Sequence, residues 1–140
     1  MPPSQTEIHR LAALPVRPGQ LLIDGQWQDG ENGETEVLSP IDGKALTTLA
    51  SASAADVDRA VASARAAFED GRWSRLAPAA RKAVLHRLAD LIEKHAGELA
   101  VLGVRDNGTE IGMALKAEPG SAANTFRYYA EAIDKTFGEI

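Results

Sequence analysis

The chain has no cysteine among its 140 residues. That excludes disulfides, thiolate metal sites and a cysteine nucleophile within these residues. The absence fits a reducing compartment and leads us to expect a cytoplasmic protein. Aromatic residues are scarce, at 5%, so the volume of any core must come from Leu, Ile and Val. No apolar run approaches the roughly 18 residues of a membrane span. The opening, MPPSQTEIHRLAALPVRPGQ, lacks the charged-then-apolar pattern of a leader. Positive charge is not in excess either. The net charge of −5 argues against electrostatic binding to nucleic acid or to an anionic membrane.

What is present is 44% apolar, much of it alanine, which favours helix. The length is that of one ordinary domain. Prolines and polar residues predict a flexible arm over residues 1–20, and order begins at Leu21. In LLIDGQWQ two apolar-rich runs flank Asp24-Gly25, a preferred pair for a two-residue hairpin turn because both positions take positive φ. TEVLSPIDGKALTTLA reads as strand, turn, strand, punctuated by Pro40 and Gly43.

The remainder reads as helix. Ser53 and Asp56 have the spacing of a capping box. Val57, Ala60, Val61, Ala64 and Phe68 form one apolar stripe behind them. Pro78 suits a first helical turn. Val84, Leu88, Leu91, Ile92 and His95 share a face of the next helix, and Gly97 separates it from ELAVLGVR. Residues 106–108, Asp-Asn-Gly, read as a turn or helix end. The last helix is predicted to start at Pro119, with Ala122, Phe126, Tyr129, Ala130, Ile133 and Phe137 aligned. Strands therefore come first and helices after.

Chemistry is sparse. His86 and His95 are nine residues apart, too far for a metal pair on one helix, and His9 lies in the arm. Gly103 and Gly108 have phosphate-loop spacing, but Thr109 stands where the lysine is needed. No Gly-x-Gly-x-x-Gly occurs, so a dinucleotide fingerprint is absent from these residues. Asp56 and Asp58 read as a cap and a solvated charge. Trp27 and Trp73 read as plugs at core edges. Asp106 is a turn-former or, more sharply, an ion ligand. These residues contain no catalytic constellation.

Taken in order, the segments resemble one family. LLIDGQW is similar to the hydrophobic-Ile-Asp/Asn-Gly-x-Trp opening of the NAD(P)-dependent aldehyde dehydrogenases. SPIDGKAL resembles their Pro-x-Thr/Asp-Gly turn, and ADVDRAVASARAAFE their first helix. Trp73 with RKAVLHRLADLIEKHAGELA looks like the next two helices. DNGTEI and RYYAEAIDKTFGE resemble the two elements that follow. The match runs from about Leu21 to the end. The finer pattern is most similar to γ-glutamyl-γ-aminobutyraldehyde and 4-guanidinobutyraldehyde dehydrogenases, enzymes of polyamine and arginine breakdown.

The resemblance implies that this chain is the N-terminal part of a larger α/β fold, with antiparallel strands followed by a mostly helical stretch. Residues 21–140 would belong to an incomplete cofactor-binding domain, and the catalytic domain would be absent. Family chemistry uses a cysteine thiolate to attack the aldehyde, hydride transfer to NAD or NADP, and water to release the acid. No catalytic or cofactor residue is carried over to this chain, which alone is expected to be inactive. The implied partners are a small-molecule aldehyde and further copies of the full-length enzyme, as a dimer or tetramer. The resemblance also implies a structural monovalent cation, with Leu38 (through its carbonyl) and Asp106 as oxygen ligands of an incomplete site. Thr109-Glu110 replace the family's usual Lys-Pro after that acid. The alternative function is a non-enzymatic, truncated homologue acting as an interaction module.

Overall fold

The computed structural model describes residues 3–135. The chain divides into two compact units. One is Pro15–Arg75, and the other combines the segment ending at Leu14 with the segment starting at Leu76.

The first unit holds the strands and one helix. β1 (Leu21–Ile23) and β2 (Gln26–Gln28) pair antiparallel, with Leu22 opposite Trp27 and Ile23 opposite Gln26. Asp24 and Gly25 make the turn at φ 51° and 73°, a region that aspartate tolerates and that glycine, without a Cβ, enters freely. β3 (Glu34–Leu38) and β4 (Ala45–Ala50) form a second antiparallel ribbon, irregular between Val37 and Leu38. Gly19 bridges the other edge of β4 at Leu49. α2 (Ala54–Glu69) starts at a complete capping box: Ser53 Oγ accepts from the Asp56 amide, and Asp56 accepts from the Ser53 amide at 2.7 Å.

Two ribbons this small cannot cover a helix of 16 residues. The stripe on α2 therefore stays largely in solvent, with Phe68 at 64% exposure. Trp27 and Trp73, expected at core edges, are also exposed, for the same want of surface to pack on.

The second unit is all helix. α1 (Gln5–Ala12) forms within the stretch read as a flexible arm. Ser4 Oγ accepts from the Glu7 amide, Glu7 pairs with Arg10, and the helix lies against the element that becomes α4. Arg105 donates to the Leu14 carbonyl and fixes the end of this segment. α3 (Pro78–Lys94) begins with its proline in the first turn, as predicted. α4 (Ala96–Asn107) follows at once, so the break falls at His95 and Gly97 sits inside the helix. Gly108 closes α4 at φ 79°.

α5 (Ile111–Ala132) starts eight residues before Pro119, correcting the predicted start. Glu110 supplies the reason. Its carboxylate accepts from the amides of Gly112 and Met113 at 3.0 and 3.1 Å and caps the helix. Pro119 is then an interior proline, a cost of about 3 kcal/mol in an isolated helix. It is buried, so tertiary packing offsets that cost.

α5 packs along α3 and α4. The contact is lined by alanine: Ala89, Ala100, Ala114, Ala123 and Ala130 are fully buried, with Val101 beside them. The buried residues of α5 are Ala114, Pro119, Ala123 and Ala130; Ala130 lies on the predicted line, with Phe126 and Ile133 half-buried, whereas Ala122 and Tyr129 are exposed. Phe137, also placed on that line, lies outside the described residues. On α3 the buried position is Ala89, while Val84, Leu88 and Leu91 face outward. Ala123→Leu should destabilise the chain by about 1–3 kcal/mol through overpacking. Ala122→Leu, on the exposed side, should change stability by about 0.5 kcal/mol at most. Denaturant unfolding of both variants checks this.

Candidate functional site

Leu38 and Asp106 were the two residues the sequence nominated. Leu38 ends β3 at the irregular register of the ribbon, in the first unit. Asp106 stands one residue before the end of α4, in the second unit. Its carboxylate is exposed and makes no hydrogen bond or ion pair among the described residues, so its oxygens could serve a hard cation. The neighbouring polar groups are already used. Asn107 Oδ1 accepts from the Thr109 amide at 2.8 Å, and Glu110 caps α5. The Thr-Glu pair in place of Lys-Pro therefore has a local role in starting a helix. Among the described residues no three His, Asp or Glu side chains converge as a metal site.

The histidines do not meet. His9 lies beside Gln5 at 2.9 Å, His95 beside Glu98 at 3.2 Å, and His86 beside Glu131 at 2.9 Å. Each occupies a surface pairing of a helix.

The densest group of charges joins α3 to α5, and sequence reasoning missed it. Lys82 reaches Glu131 at 3.0 Å and Asp134 at 2.9 Å, with its side chain only 20% exposed. Arg127 reaches Asp90 at 2.9 Å and Glu93 on the same face of α3. These pairs link residues 34 to 52 positions apart, beyond what helical spacing within one element can show. Hydrogen bonds from Lys82, then His86, hold Glu131 below the usual carboxylate range. Lys82 and then Lys135 bring Asp134 to about 2. Arg127 likewise depresses Glu93. Such saturated pairing holds two helices together and leaves no group free for acid–base work.

A recess between α1 and α4 is lined by Glu7, Arg10, His95 and Glu98. Within it Arg10 pairs with Glu7 and His95 with Glu98.

The model of the aldehyde dehydrogenase family matches residues 27–140. The chain belongs to the aldehyde dehydrogenase family. It is 44% identical over 122 residues to the NADP/NAD-dependent aldehyde dehydrogenase PuuC of Escherichia coli, covering 86% of this chain and 25% of that protein. The crystal structure of γ-glutamyl-γ-aminobutyraldehyde dehydrogenase from Burkholderia cenocepacia superposes with a TM-score of 0.88 at 42% identity, covering 96% of this chain and 28% of that one. A mutant indole-3-acetaldehyde dehydrogenase of P. syringae, in complex with NAD+ and IAA, superposes with a TM-score of 0.87, again at 42% identity, covering 94% and 26%. The chain thus spans about a quarter of the length of each of these relatives. Its short antiparallel strands and helices are those of the aldehyde dehydrogenase fold, as the sequence implied.

The charge ladder gives a pH prediction. Glu131 and Asp134 have folded values below their ordinary ones. Their stabilising effect is therefore complete above the ordinary carboxylate range and fades as pH falls through it, to about 2 for Asp134. The thermal midpoint should drop over that window, and Lys82→Met should flatten the drop. High salt should reduce the difference between the two proteins, because the acids are half exposed.

Proposed function

We propose that this chain is the N-terminal scaffold segment of an NAD(P)+-dependent aldehyde dehydrogenase that oxidises an aldehyde to its carboxylic acid, and that the 140 residues alone do not turn over substrate. The observation that carries this reading is the family match over residues 27–140 in a chain with no cysteine. The family's covalent step needs a thiolate, and its cofactor glycines form a fingerprint these residues lack. What the segment offers is architecture: capped helices, two ribbons and outward apolar faces suited to further packing.

An aminoaldehyde from polyamine or arginine breakdown is the substrate class we infer, supported by the likeness to the γ-glutamyl-γ-aminobutyraldehyde enzyme. The indole-3-acetaldehyde enzyme is as similar over the same stretch, so substrate choice rests on other parts of the fold. By the same reasoning, the parent enzyme is read as a cytoplasmic homo-oligomer using NAD or NADP. The carbonyl of Leu38 and the carboxylate of Asp106 are each proposed as oxygen donors to a structural monovalent cation there. An equal thermal midpoint in potassium, sodium and a bulky organic cation would remove that assignment.

The outward faces also support a second reading, in which the chain docks on a full-length relative without catalysing anything. Two measurements separate the readings. The purified chain should give no aldehyde-dependent NADH or NADPH, and turnover by it would overturn the scaffold proposal. Co-elution with a full-length aldehyde dehydrogenase on gel filtration would favour the docking module, and separate elution would exclude it.

A further inference from the structure

Asp56 is the one charged side chain fully withdrawn from solvent among the described residues, at 1% exposure. A capping box on a surface helix does not require such burial. The carboxylate is covered because it serves a second element. Besides the Ser53 amide, it accepts from the Glu31 amide at 3.0 Å, in the turn between β2 and β3. Arg59, one turn along α2, donates to its other oxygen and also to Glu31 at 2.7 Å. Ser53 Oγ donates to the remaining Glu31 oxygen at 2.9 Å. Three residues, Ser53, Glu31 and Arg59, thus converge on one buried anion.

A side chain at Gly30 would meet the Ser51 carbonyl at 2.1 Å, so the turn lies flat on the strand end that leads into α2. The Asn32 amide donates to the Ser51 carbonyl, and the Ser51 amide donates to the Gly33 carbonyl, which ties the turn to the ribbon. The tie to the helix is the Asp56 cluster, with one Asn32 bond to the Ala52 carbonyl beside it.

We propose that Asp56 is an acid-released latch between α2 and the β3–β4 ribbon: its ionised carboxylate holds the turn at Glu31 on the helix start, and neutralising it frees the turn while the ribbon stays paired. The charged groups facing it are Glu31 from the turn and Arg59 from its own helix. β1, which flanks it across a small apolar hollow, presents Leu21, Leu22 and Ile23. Amide hydrogen bonds from Ser53 and Glu31 depress Asp56, and Arg59 and Ser53 depress Glu31. The latch is therefore closed above the ordinary carboxylate range and opens as pH falls below it.

Amide hydrogen exchange on the whole chain tests this. In Asp56→Asn at neutral pH, the Glu31 and Ser53 amides should exchange about tenfold faster or more, because a neutral amide oxygen accepts more weakly than a carboxylate and its NH2 group is repelled by Arg59. Thr35 and Thr47, in the ribbon, should keep their protection. The unmutated chain should lose protection at Glu31 and Ser53, corrected for intrinsic rates, as it is acidified. Arg59→Gln should keep both amides protected at neutral pH. Unchanged exchange in Asp56→Asn overturns the proposal, as does loss of protection across the whole ribbon. Equal release by Arg59→Gln would also overturn it, by making the guanidinium the latch.

Discussion

Buried alanine where α3, α4 and α5 meet is the constraint on which the rest of the structure depends. Ala89, Ala100, Ala114, Ala123 and Ala130 let α3, α4 and α5 approach through their smallest side chains. A contact built this way is tight but holds little apolar volume. The large residues are then left on the outer faces: Val84, Leu88 and Leu91 on α3, Met113, Tyr128 and Tyr129 on α5. In the other unit the ribbons are too short to cover Val57, Val61 and Phe68. Both units therefore present more large apolar side chains outward than a self-contained small domain usually does. The chain spans about a quarter of the length of its relatives.

With so little apolar volume inside, polar devices set much of the geometry. Glu110 starts α5, Gly108 ends α4, and Lys82 and Arg127 tie α5 to α3 with four acids. The Asp56 cluster does the same between a turn and a helix. Surface ion pairs are individually weak. Their value here is directional, because alanine contacts allow sliding and a bidentate guanidinium does not.

Much of the local structure was legible in the sequence where a residue has only one plausible role. Asp24-Gly25 gave the hairpin, Ser53 and Asp56 the cap, and Gly108 the helix end, since each depends on backbone chemistry nearby. Burial was less legible. Alanine satisfies an exposed or a buried helical position equally well, so periodicity followed Val84, Leu88 and Leu91 and missed Ala89. Pro119 misled for a similar reason: its usual place is a first turn, and only packing reveals that an interior one is tolerated. The charge ladder could not be read because its partners are far apart in sequence. The family was legible from the order of its segments, whereas Leu38 and Asp106 rest on that likeness.

On the proposed function, these residues supply scaffold and the chemistry belongs to the rest of the family fold. The most direct measurement is a chimera in which this chain replaces the matching quarter of Escherichia coli PuuC. The account predicts a soluble enzyme that still reduces its nicotinamide cofactor when aldehyde is added, with little change in KM for the aldehyde. A soluble, folded chimera without turnover, or one whose aldehyde preference has changed, would contradict it.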